Sequence, residues 1–329
     1  MRTAIAVLQA VAQTIQQTAS PGGQPGGPGG PGGPNGPGGP PPGFEIVPAF
    51  FELLRFVGSF LAIGAVGFRF GIVRQIRGMS DEAKAILRAD NAAMLGIAGI
   101  ILIALSALSG PYLDSITNHK TLAESLSKNM SQFEFKMTML ALALIGFMLV
   151  RAASSAGWML AAIGILLAVL QPVYTARFSN KVNAVHIAAA STWLGTLFVL
   201  MLIGIRGVTR SSAKGIQRAE LVADLVNSFS PLALVASAIV AATGVTTAWL
   251  HLKRISSLWT TSYGMALDVK LIFVLIVVTL GAWNWRRVRP SLGVEGSEET
   301  IRRSARMELT FAAVVLIATS VLVSLPSPK

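Results

Sequence analysis

The run Val185–Ile205, VHIAAASTWLGTLFVLMLIGI, carries no Asp, Glu, Lys or Arg over 21 positions. A helix rises 1.5 Å per residue, so about 20 apolar residues cross a ~30 Å hydrocarbon core. Seven further apolar runs follow the same logic: about Ala49–Val73, Ala92–Ser109, Met137–Val150, Trp158–Val173, Phe229–Leu250, Leu267–Trp285 and Met307–Leu325. The third and fourth segments are the shortest, with Arg151–Gly157 between them. Together they are too long for one crossing, and we read them as two helices joined by a tight turn. The expected fold class is all-α, a polytopic membrane helix bundle of about eight transmembrane helices.

Composition supports this reading. Of 329 residues, 53% are hydrophobic and 13% are charged, against roughly 25% charged in an ordinary soluble domain. The mean hydropathy is +0.63. A soluble enzyme, a disordered chain and a conventional nucleic-acid binder are excluded on these grounds. The net charge of +12 lies mostly between the apolar runs, where basic residues fix orientation. The loops after segments one, three, five and seven carry 15 Lys and Arg, and those after segments two, four and six carry 7. The positive-inside rule then places both termini outside.

Residues 1–20 read equally as a weak signal peptide, with Ala10-Val11-Ala12 as a small-residue cleavage site, or as an uncleaved N-terminal helix. Residues 21–43 contain 12 Gly and 9 Pro. Such a tract has nothing to bury and reads as a disordered linker. It lacks His, Met and acidic residues, so no metal role is expected of it. The membrane domain is expected over 44–329.

The chain has no cysteine and three histidines, His119, His186 and His251. Any soft-metal chemistry must therefore use imidazole and thioether. The derived topology puts all three histidines on the outer side, with Met130 and Met265. His186 starts segment five as it enters, His251 ends segment six as it emerges, and the two are expected at one depth. This donor set suits copper in an envelope without thiols. Each histidine also has a plainer reading as an ordinary interfacial residue, strongest for His119 and weakest for His186.

Glu52 and Arg55 stand one helical turn apart and are expected to pair, which lowers the penalty of burying either. Asp268, Lys270 and Glu308 sit at span edges, where depth-fixing is the plainer reading for Lys270 and Glu308. An aromatic belt accounts for most of Trp193, Trp249, Trp259, Tyr263, Trp283 and Trp285. Gly67–Gly71 and Ser191–Gly195 place small residues four apart, which permits close helix packing. No nucleotide loop, catalytic triad or HExxH is present.

The second half of the chain carries a pattern. Asn183–Gly195 sets His186 seven residues before Trp193, with Gly195 following. Phe229-Ser230-Pro231-Leu232-Ala233 runs on to Thr243-Gly244-Val245. Then come Tyr263-Gly264 with Leu267 and Lys270, Arg306-Met307-Glu308-Leu309, and a closing Leu325-Pro326. In order and spacing this resembles the copper resistance protein D (CopD) family over about residues 183–326. Asn183 stands where the family often has an acid, Gly195-Thr196 where it often has two glycines, and Asp268 where an apolar residue is usual. The resemblance implies an inner-membrane protein of copper homeostasis that moves copper across the bilayer, beside a periplasmic copper-binding partner. It implies no enzyme and no nucleic-acid partner. The expected copper contacts are His186, His251, Met265, Met130 and His119. Two other readings stand beside it: a b-type cytochrome with His186 and His251 as axial haem ligands, and a membrane scaffold or sensor without a substrate.

Overall fold

The computed structural model describes residues 46–74, 89–127, 130–210, 215–252, 256, 262–283, 286 and 297–324. The N-terminal 45 residues, on which the signal-peptide and linker readings fall, lie outside the described residues. All regular structure among the described residues is helical. The helices are α1 (Ile46–Gly67), α2 (Ala89–Ala107), α3 (Ser109–Asn118), α4 (Leu122–Ser127), α5 (Met130–Arg151), α6 (Ala156–Thr175), α7 (Phe178–Ala190), α8 (Gly215–Leu252), α9 (Ser262–Trp283) and α10 (Ser297–Ser324). The α1 rod continues through a π-helical segment, Phe68–Val73. The α7 rod continues without a break to Arg210, passing through two π-helical segments, Ser191–Gly195 and Leu200–Ile205.

Six of these rods are long and apolar enough to cross a bilayer: Val47–Val73, Asn91–Asn118, Met130–Arg151, Ala156–Thr175, Phe178–Arg210 and Ile216–Leu250. The last two apolar runs of the sequence fall on α9 and α10, of 22 and 28 residues. The chain is an all-α, multi-pass membrane bundle. Helices overrun the apolar stretches that announce them. The α7 rod begins at Phe178, seven residues before the apolar run, and α8 begins at Gly215, fourteen before. Pro231 sits inside α8 without ending it. Its missing N–H removes one backbone bond, and a helix in a bundle tolerates this.

The tight turn between α5 and α6 is built by Ala153, which adopts a left-handed φ of 63°. Ser154 N–H donates to Leu149 C=O at 2.9 Å and Ala153 N–H to Val150 C=O at 3.0 Å. These two bonds are the Schellman pattern that closes a helix C-terminus. The α4 start is a capping box. Thr121 N–H donates to the Glu124 carboxylate at 2.9 Å, and Glu124 N–H donates to Thr121 Oγ1 at 3.3 Å. Those bonds, the Thr121 backbone N–H first, hold the Glu124 carboxyl below its ordinary pKa.

The α7 rod is the axle of the bundle. Of its most apolar stretch 67% is buried, against 17% for α8. It packs on α1 through small residues. A Cβ on Gly64 would strike the Gly195 carbonyl group, and one on Gly195 would strike the Phe60 carbonyl. One on Gly67 would strike Thr196 Oγ1. Small-residue spacing in Gly67–Gly71 and Ser191–Gly195 therefore does mark close approach, and both stretches lie on π-helical segments or their edge. Around this crossing Phe68, Ile72, Ile103, Phe147, Ile165, Leu200 and Leu225 form one buried core. Hydroxyls within the rods mostly bond back to their own helix, as lipid demands. Ser59 donates to Arg55 C=O at 2.8 Å and Thr192 to Ala188 C=O at 2.8 Å. Ser191 Oγ and Thr196 Oγ1 are buried with no hydrogen-bond partner and flank the crossing.

Two predictions follow from this packing. Gly195→Leu forces a side chain into backbone that cannot yield, and should remove the monodisperse folded fraction on size exclusion in detergent. Gly281→Leu, where nothing lies within 4 Å of an added Cβ, should leave that fraction unchanged. Ala153→Gly relieves the left-handed conformation and should raise the thermal midpoint, equivalent to about 1 kcal/mol. An unchanged or lowered midpoint would contradict the turn geometry.

Candidate functional site

His186 lies on α7, eight residues after Phe178. That is about 12 Å along the rod. It therefore stands two turns inside the helix and not at its mouth, as the apolar run alone suggests. The side chain is half-buried and reaches α8, where Nδ1 lies 3.0 Å from Thr243 Oγ1. Gly244 lets α8 approach the ring: a Cβ there would meet His186 Cε1 at 3.3 Å and Nδ1 at 3.8 Å. Thr243 also donates back to Ile239 C=O at 2.6 Å, and Thr247 to Thr243 C=O at 2.8 Å. The opposite side of α8 is apolar and faces outward, with Val245 and Trp249 strongly exposed. A single stripe of small polar residues on an otherwise lipid-facing helix thus meets the one imidazole of α7.

His186 comes from α7, and Thr243 and Gly244 from α8. An imidazole nitrogen carries a lone pair of the kind that soft and borderline metal ions take.

The other expected contacts do not gather there. His119 is exposed and closes α3 in a left-handed conformation, φ 51° and ψ 39°, with Lys120 N–H donating to Ser115 C=O at 3.1 Å. This is again a Schellman end, and histidine is among the residues enriched in that conformation. Met130 begins α5 and is exposed. Met265 is half-buried on α9, five residues before Lys270. His251 lies on α8, but its side chain is outside the described residues. Its backbone stands eight residues beyond Thr243, about 12 Å farther along α8 than the residue His186 touches. His186 meets α8 at Thr243 and not at His251. Among the described residues no three His, Cys, Asp or Glu side chains group to hold a metal ion.

Other expectations resolve more simply. Arg55 Nε donates to Glu52 Oε2 at 2.9 Å, a second bond comes from Nη2, and the guanidinium stacks 5.1 Å from the Phe56 ring. Glu308 is buried on α10, not interfacial, beside Leu309 of the core. Trp193 is no belt residue. It packs with Phe60 against Leu194, Val277 and Ala312. The π-helical turn at Ser191 widens the register, so seven residues no longer return to the His186 face as they would in a regular helix. The sequence reading passed over Thr243 as a ring partner. The available signal was a Thr-Gly pair in the outer third of a lipid-type run.

The cap role of His119 carries a prediction. His119→Gly keeps the left-handed turn without a Cβ and should leave the thermal midpoint equal or higher. A drop of several degrees would show that the imidazole makes a contact the cap geometry does not require.

Residues 223–322 match the family model described as copper resistance protein D. The chain is 30% identical over 143 residues to "Copper transport protein CutJ" of Bacillus subtilis (strain 168), across 44% of this chain and 24% of that protein. The match thus spans about a quarter of the relative's length. No solved structure matches. The matched region contains Thr243 and Gly244, which receive the His186 side chain, and also Lys270. Through that region the chain is similar to the copper resistance protein D family of membrane proteins.

Proposed function

We propose that this protein moves copper across the cytoplasmic membrane as part of copper homeostasis, and that His186 is its principal copper contact. The observation that supports this most is the meeting of His186 with Thr243 and Gly244, the family-matched part of α8. Met265, a turn and a half from Lys270 on the same helix, is the thioether best placed to join it. His251 and Met130, at the same end of the bundle, are approach residues in this reading, and His119 serves the turn. Eight crossings with both termini outside put the His186 end at the outer face, where a periplasmic copper-binding protein would deliver the ion. The role is transport and not catalysis, with the bilayer as the protein's surroundings.

The haem reading requires His186 and His251 at one level, and their offset along α8 speaks against it. The scaffold or sensor reading gives His186 no task.

The test is metal analysis of purified protein. His186→Ala should lose most bound copper with expression unchanged, and His119→Ala should keep it. Copper retained by His186→Ala and lost by His119→Ala would move the site to the turn after α3. A cytoplasm-only reporter that is active when fused after Lys329 would reverse the orientation.

A further inference from the structure

We infer that Thr243 is a positioning residue that holds His186 in the Nδ1–H tautomer, so that Nε2 is the ring atom presented to copper. The inference rests on the copper reading of His186 for its second half only. Its first half follows from hydrogen-atom accounting. A threonine hydroxyl has one hydrogen and two lone pairs. Thr243 Oγ1 lies 2.6 Å from Ile239 C=O, 3.2 Å from Val240 C=O and 3.0 Å from His186 Nδ1. Both carbonyls can only accept. The shortest of the three contacts, the bond back to Ile239, takes the hydroxyl hydrogen. Were that hydrogen turned to the ring instead, Oγ1 and the Ile239 oxygen would face each other at 2.6 Å with none between them. The Oγ1 lone pairs are then left to accept from the ring, and Nδ1–H is the tautomer that donates to them. A neutral imidazole with hydrogen on Nδ1 has its lone pair on Nε2.

The backbone reinforces this choice. The Thr243 bond to Ile239 is an i to i−4 bond within α8, so the hydroxyl orientation is set by the helix itself. Gly244 brings α8 against the Cε1–Nδ1 edge of the ring, the edge a ligand cannot then approach. Metal-bound histidines commonly donate their other ring N–H to an oxygen that fixes tautomer and orientation. Here that oxygen is a side-chain hydroxyl on the neighbouring membrane helix, already oriented without the metal.

The experiment uses full-length protein in detergent with ¹⁵N,¹³C-labelled histidine, in a background where His119 and His251 are changed to Gln. Carbon–nitrogen correlations report which ring nitrogen of His186 carries the hydrogen, with no copper present. The parent and Thr243→Ser should show Nδ1–H. Thr243→Val keeps the shape, removes the acceptor and should let Nε2–H appear. Cu(I) affinity against bathocuproine disulfonate is then measured for each. Thr243→Val should bind about 10–100-fold more weakly than the parent, and Thr243→Ser should restore binding to within about threefold of the parent. Nε2–H in the parent, or Nδ1–H unchanged in Thr243→Val, would overturn the assignment of Thr243. Nδ1–H in the parent together with copper bound equally by His186→Ala would overturn Nε2 as the ligand atom and the copper reading with it, while leaving Thr243's hold on the ring.

Discussion

The close crossing of α1 and α7 is the constraint on which the bundle turns. Lipid tails supply no hydrophobic drive between helices, so association rests on how near two backbones can come. At Gly64 and Gly195 each backbone sits where the other's Cβ would be. Thr196 Oγ1 lies where a Cβ of Gly67 would be. This contact sets the rotation of α7 about its own axis. Once that rotation is fixed, the His186 face is directed at α8, and Leu194 is directed at Val277 and Ala312. The π-helical segments follow from the same demand. An extra residue per turn lets a rod shift register so that small residues stay on the contact face.

The site is consequently a meeting of rods and not a property of one loop. His186 comes from the most buried helix, and its partners come from helices whose outward faces are greasy. The α8 stripe of Thr243, Gly244 and Thr247 is flanked by exposed apolar residues, Val245 and Trp249 among them. A hydroxyl locked to its own backbone is a cheap polar group in a bilayer, since its hydrogen is satisfied before any ligand arrives. That leaves lone pairs for a neighbouring ring.

How much of this was legible in the sequence depended on what each residue answers to. The eight apolar runs were readable because charge exclusion from lipid is absolute enough to leave 21 uncharged positions in a row. The short third and fourth segments were correctly split, because Arg151 and the small residues after it cannot sit mid-bilayer. Helix ends were not readable. Backbone bonding carries α7 back to Phe178 and α8 back to Gly215 through polar residues, and so His186 lies two turns inside its helix. The inward packing of Trp193 was not readable for a related reason, since a π-helical turn leaves no mark in a hydrophobicity pattern. That His119 closes a helix could not be read, because left-handed backbone geometry shows only in the structure. The pairing of Glu52 with Arg55 was local, three residues apart, and was read correctly.

The central claim is that the His186 imidazole touches copper. The most direct measurement is copper-edge X-ray absorption on copper-loaded protein in which His186 is the sole histidine, His119 and His251 having been changed to Gln. The account predicts the outer-shell scattering of one imidazole ring about the metal. A spectrum fitted by sulfur or oxygen neighbours alone, with no imidazole ring, would contradict it.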